Sequence, residues 1–270
     1  MIVKKEMNGN NMLYKYLDVT GGLMMLQNSN LMFTNALQLN DPFDCHPGLI
    51  DYSNANNREA QVWGKKIVEE IETNHAENLR NDTWVCSLSK VHDSLLMWSY
   101  YNGHKGVCVG LNREKTKAYL SHITQSIYIG AQEMEVQYKD IIEKPDYFHD
   151  YLDKLTYQLS TKAKDWAHEQ EVRLVLINPT PAVVPHHPSF AIMALPYKPE
   201  DENEAIDWKE LRAYAELSGD CFESIYLGVK TDKKDRDRII NAARNCNPNI
   251  KIYQMTIDPK AFRLKEELLD

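Results

Sequence analysis

The stretch "KDWAHEQEVRLVL", residues 164–176, sets two glutamates and an arginine at alternating positions ahead of a short apolar run. Side chains of a strand point alternately to its two faces. Glu169, Glu171 and Arg173 are therefore expected on one face, with Gln170, Val172 and Leu174 on the other. Such a row of charges is either a solvated edge or the wall of a polar cleft. On an exposed edge its ion pairs contribute only ~0–1 kcal/mol, and alternating charges are common on antiparallel sheets. Beside a cleft the same carboxylates could stabilise developing positive charge, bind a sugar hydroxyl or hold a metal.

Upstream, "LLMWSYYNGHKG" (95–106) gathers Trp98, Tyr100, Tyr101 and His104 within seven positions. Trp98 and Tyr101, three apart on a helix, are core-packing residues on one reading. On the other they form a stacking platform for a planar ring, with His104 and the Gly106 backbone lining the ligand. "YKY" (14–16) places Lys15 on the strand face opposite Tyr14 and Tyr16. "NDPFD" (40–44) is a turn, since Pro42 fixes φ and Asn40 or Asp41 caps the local backbone. His186 and His187 lack further ligands at zinc spacing, and "KTDKKDRDR" (230–238) reads as a solvated helix start. The P-loop, G-x-G-x-x-G, G-x-S-x-G and H-E-x-x-H patterns do not occur.

Periodicity predicts strands at 11–19, at 31–39 or breaking near Asn35, at 82–89 and at 106–111, the last following a helix stopped at Gly103. A helix over about 56–77 carries the stripe Val62, Trp63, Ile67, Val68 and Ile71, and another spans 113–120. Strands are expected near Ile127 and Val136, then a helix bearing Phe148, Leu152, Leu155 and Leu159. After the charged strand come a Pro-rich loop (179–188), the strand "SFAIMALPY", and a strand, helix and strand over 221–257, with Thr231 or Asp232 as helix cap. No repeat or linker interrupts this order, so one α+β domain is expected over residues 1–270, with a curved, mostly antiparallel sheet flanked by helices.

The 270 residues are 43% hydrophobic and 26% charged, with a net charge of −8. That balance argues against a broad nucleic-acid or anionic-membrane surface, which needs excess positive charge. "MIVKKEMNGN" has no apolar signal region and no stretch approaches a membrane span, so a cytoplasmic protein is expected. The five cysteines are widely spaced without C-x-x-C, and Cys86 and Cys108 fall in apolar runs as buried free thiols.

In order, "LYKYL", "LNDPFD", "CSLS", "LLMWSYYNGHKGVCVGL" and "HEQEVRLVL" resemble the bacterial family of domain of unknown function 2971, over roughly residues 13–178. The opening strand and the late E-x-E strand are also similar, more distantly, to NAD-dependent ADP-ribosyltransferases. That likeness implies an NAD cofactor, Glu171 as the catalytic glutamate and Glu169 as the group that orients an acceptor. It implies a cofactor-binding set of Lys15, Tyr16, Trp98, Tyr101, His104 and Arg173. Lys15 would replace the usual His or Arg of the first motif, and Phe33-Thr34 would stand on the second strand. Glu171→Gln is then expected to abolish turnover and leave the fold intact. Two further readings stand beside this one. Asp41, Asp44, Glu169 and Glu171 could hold Mg²⁺ in a metal-dependent nuclease or hydrolase, or the aromatic and acidic groups could form a non-catalytic module that binds a ligand or protein.

Overall fold

In the computed structural model, Glu171–Ile177 is a strand with hydrogen-bonded neighbours on both sides, so the charged stretch enters the interior of a sheet and not its edge. The structure describes residues 11–71, 74, 76–127, 130–150, 153–177, 190–194 and 211–269. The Pro-rich loop with His186 and His187 lies outside them, as does Leu152.

Among the described residues the strands are β1 (Met12–Leu17), β2 (Asn30–Asn35), β3 (Thr83–Ser89), β4 (Val107–Asn112), β5 (Gly130–Glu135), β6 (Gln137–Lys139), β7 (Thr161–Ala163), β8 (Glu171–Ile177), β9 (Phe190–Ala194), β10 (Leu211–Glu216), β11 (Phe222–Leu227), β12 (Lys251–Ile257) and β13 (Leu264–Leu268). The helices are α1 (Val19–Asn28), α2 (Asn57–Trp63), α3 (Lys65–Glu70), α4 (Ala76–Asn81), α5 (Leu95–Asn102), α6 (Arg113–Ile127), α7 (Lys154–Ser160) and α8 (Lys233–Cys246). Eleven strands form one open sheet whose main path runs β13-β12-β11-β4-β1-β3-β2-β10-β9, with β8 added to β3 and β5 to β8. Its pairings are antiparallel except β11 with β12; β6 and β7 form a separate parallel pair. The expected α+β class with a mostly antiparallel sheet and flanking helices is what forms.

The sheet forks at β3. One edge of β3 pairs along its whole length with β8, from Thr83↔Ile177 to Ser89↔Glu171. The other edge is divided: β2 holds it at Trp84 and Val85, and β1 holds it at Ser89. Between those contacts β1 and β2 diverge. Lys15 reaches into the gap, its Nζ donating to the Ser87 carbonyl at 2.8 Å, and so satisfies a strand acceptor there.

Burial follows the alternation of the strands. On β1, Leu13 enters the core formed with α1 and α8, while Tyr14 and Tyr16 face a second core beneath α5. Short-range signals set the ends of these helices. Asp18 caps α1 by accepting from the Gly21 amide, Ser94 caps α5, and Asp232 caps α8. Gly103 closes α5 in the left-handed conformation.

Three helical expectations change. The stripe over 56–77 is divided at Gly64, whose φ of 87° ends α2; Val68 is buried but Val62 and Ile67 are exposed. Ile127 closes α6 instead of forming a strand. The helix expected around 148–159 is confined among described residues to α7, which starts at its Asp153 cap and ends at β7.

Candidate functional site

A cleft of 320 Å³ opens where the sheet forks, lined by β1, β2, β3, the "NDPFD" turn, α5 and the segment leading into β8. Seven of the candidate residues named from the sequence line it: Lys15, Tyr16, Thr34, Asp44, Tyr101, Glu169 and Glu171.

Glu169 and Glu171 are brought together by a turn rather than by a continuous strand. Residues Lys164–Glu169 form a 3-10 helix, and Gln170 follows in the left-handed conformation with φ 44°. Strand β8 therefore starts at Glu171, two residues later than the alternation predicts. Gln170 is exposed while both glutamates are buried.

The partners that hold them come from elsewhere in the chain. Lys162, on β7, is 5% exposed and lies opposite Tyr138 of β6. Its Nζ lies 2.6 Å from Glu169 Oε2, 3.3 Å from Glu171 Oε2 and 3.6 Å from Asp44 Oδ2. Arg173, wholly buried, donates from Nε to Glu171 Oε1 at 2.9 Å, from Nη2 to Asp44 Oδ1 at 2.5 Å and from Nη1 to the Leu159 carbonyl at 2.8 Å. Tyr101 Oη donates to Glu169 Oε1 at 2.5 Å, and Tyr138 Oη accepts from the Glu171 amide at 2.8 Å. Asp44 is presented by the turn expected at 40–44, in which Asp41 Oδ1 accepts from the Phe43 amide.

The electrostatics follow from this enclosure. Burial alone pushes the Glu171 carboxyl up, but Arg173 and Lys162 overcome it and hold the group down at about 2. Burial likewise opposes the charge on Lys162, and Glu171, Asp44 and Glu169 outweigh it, raising the ammonium above its ordinary value. Burial raises Tyr101, and the adjacent Glu169 raises it further, so the phenol stays protonated and serves as a donor. Buried ions cost several kcal/mol each unless fully paired. Here each has at least one opposite charge in contact, and Asp44, Lys162, Glu169 and Glu171 line the cleft.

Five sequence candidates do not line the cleft. Trp98 is wholly buried; its Nε1 donates to the His92 carbonyl at 2.7 Å and its ring meets Tyr16 edge-on, so it is a core residue and not a stacking platform. His104 belongs to a separate 520 Å³ groove with Lys230 and Phe262, because Gly103 and His104 (φ 63°) turn the chain away from the cleft. Gly106 lines neither concavity: a Cβ there would lie 2.0 Å from the Leu17 carbonyl oxygen, so its place is fixed by backbone packing. Arg173 sits behind Glu171 and cannot touch a cofactor. Asp41 does not line the cleft, and among the described residues no group of three or more His, Cys, Asp or Glu is arranged to hold a metal.

Sequence reading missed Lys162, Tyr14 and Ser87. Lys162 lies seven residues before Glu169 and nine before Glu171, on a separate strand, so no periodicity within one element links it to them. The one available signal was chemical, since buried carboxylates require buried cations.

Residues 97–174 match the model of a family described as protein of unknown function (DUF2971), which bears out the resemblance over that stretch. The match runs from α5 to β8 and so takes in Tyr101, Lys162, Glu169 and Glu171. No curated protein and no solved structure matches the chain. Among the described residues no helix is long and apolar enough to cross a membrane.

Proposed function

We propose that the fork cleft binds NAD through its nicotinamide–ribose end and transfers ADP-ribose to an acceptor nucleophile. The observation that supports this reading is the convergence of Glu169 and Glu171 on one cleft with Lys15, Tyr16 and Tyr101. Glu171, ionised across the ordinary pH range, accepts from the ribose 2′-hydroxyl. As the bond from the anomeric carbon to the nicotinamide nitrogen breaks, its electron pair leaves with nicotinamide. The fixed carboxylates then face a cationic sugar, the charge arrangement also used in glycoside cleavage. Glu169 orients the acceptor that attacks the anomeric carbon, and Lys15 is the cation nearest the ribose or phosphate. Tyr14, Tyr16 and Tyr101 supply the aromatic walls in place of Trp98.

A non-catalytic binding module is the second reading. It is favoured by the fact that both Glu171 oxygens already have cationic partners. The metal-dependent alternative fits less well, because the point shared by Asp44, Glu169 and Glu171 is taken by the Lys162 ammonium.

Calorimetric titration of NAD into wild type and Glu171→Gln, followed by an assay of nicotinamide release, separates these readings. Transfer chemistry is expected to give binding to both proteins and release that drops by about 10²–10³-fold in the variant. Binding without release in wild type would select the binding module. Neither binding nor release would retire NAD as the ligand. Because Glu171 is part of a buried ion cluster, the variant's melting temperature is measured alongside.

A further inference from the structure

We propose that the β13 edge of the sheet recognises a second copy of this chain, β13 pairing with β13 in antiparallel register about Glu266. The strand stands at one end of the sheet path, and among the described residues β12 is the one strand it pairs with. A strand edge left in this way presents unpaired amides and carbonyls, a template for pairing with another chain. Which groups β13 presents is fixed by its inner ladder. In an antiparallel pair, opposed residues exchange both backbone hydrogen bonds at every second position. The Leu269 amide donates to the Ile252 carbonyl at 2.8 Å, and the Asp258 amide to the Arg263 carbonyl at 3.1 Å. Given the register between these bonds, the backbone groups of Lys265 and Glu267 point inward to β12. Those of Leu264, Glu266 and Leu268 therefore point away from the sheet.

The strand, LKEEL, is complementary to itself in one register. About Glu266, Leu264 opposes Leu268 of the copy, Lys265 opposes Glu267, and Glu266 opposes Glu266. The outward-pointing residues then meet one another, and each such pair exchanges two backbone hydrogen bonds. Lys265 and Glu267 fall in the intervening pairs, where side chains lie closest, so opposite charges meet on both sides of the two-fold axis. A slip of one residue would set outward groups against inward ones. A slip of two would oppose Lys265 to Lys265, or Glu267 to Glu267. The like charges at Glu266 fall in a wider pair, and each carboxylate already has His92 Nε2 at 3.0 Å. Leu268, 62% exposed, gains the buried Leu264 of the copy as its neighbour on the same face. Such an interface is isologous and closes as a dimer. No residue of β13 lines the fork cleft, so this pairing is independent of what that cleft binds.

The test is sedimentation equilibrium and amide hydrogen exchange over ~1–100 μM protein. It compares wild type, Lys265→Glu, Glu267→Lys, an equimolar mixture of those two variants, and Glu266→Pro. Wild type is expected to approach twice the protomer mass as concentration rises. Its Leu264, Glu266 and Leu268 amides should become at least about tenfold better protected over the same range. Each charge reversal opposes like charges and should weaken self-association by at least about tenfold. The mixture restores both opposite-charge contacts and with them wild-type association. Proline is tolerated on an edge strand whose N–H faces outward, so Glu266→Pro should keep its melting temperature and stay a monomer. A wild type that stays monomeric throughout overturns the proposal. So does a dimer that survives Glu266→Pro, or a mixture of folded variants that associates no better than either alone. Lys265 also pairs with Asp258 within the chain, so melting temperatures are measured for every variant. Should the variants fail to fold, exchange in wild type decides: protection at those three amides that does not change with concentration overturns the pairing.

Discussion

Two concavities in this molecule differ in an instructive way. The groove by the β12–β13 hairpin is larger, 520 Å³ against 320 Å³ at the fork, and is bordered by Leu95, Ile257 and a Phe262 that is fully exposed. Its one buried charge, Asp258, is held by cations that stay in water: Arg263 and, from beside the groove, Lys265, each about half-exposed or more. The smaller cleft is lined by Asp44, Lys162, Glu169 and Glu171, with Arg173 behind them, each almost wholly buried. Size and enclosed charge therefore do not go together here. In a low-dielectric site each carboxylate must be held by a specific partner, and its orientation is fixed by that partner.

The comparison breaks most sharply at Arg173. Arg173→Met leaves Glu171 and Asp44 without their inner cation, and an expected loss of about 3–5 kcal/mol would be read as a lower urea midpoint. A loss below about 1 kcal/mol would mean that the cluster is no more coupled than a surface pair. Acid comes next in size. The folded Glu171 carboxyl sits at about 2 against an ordinary 4.5, so its contribution to stability is complete above about pH 4.5 and is lost as pH falls towards 2. That contribution is on the order of 3 kcal/mol, and denaturant midpoints from pH 6 down to pH 3 should fall more steeply in wild type than in Glu171→Gln. The same exchange removes a charge from the cluster at neutral pH, so it costs stability there as well. In the larger groove the effect should be least. Phe262→Ala is expected to stay within about 0.5 kcal/mol of wild type, and a larger loss would show that the hairpin groove carries hidden structure.

The residues that were legible in the sequence are those governed by short-range rules. The Asp232 cap, the Gly103 stop and the 40–44 turn each depend on a few neighbours, and each formed. The 56–77 stripe failed because one positive-φ glycine resets the helical phase. At the site, alternation correctly put Glu169 beside Glu171, though through a left-handed Gln170 that no periodicity announces. Trp98 and Tyr101 lie on adjoining faces of α5, and helical spacing cannot say which face meets the core and which the rim. Lys162 was invisible because its role arises from three carboxylates that only the fold assembles.

The fork in the sheet has a kinetic consequence. Strand pairing pins β3 on both sides of the gap, and the Lys15 amine answers the carbonyl that an approaching strand would need. The opening is thus built into the sheet, with no strand among the described residues lying across it. A ligand of this cleft should associate in one step, at a rate that rises linearly with its concentration and shows no plateau from a slow opening event.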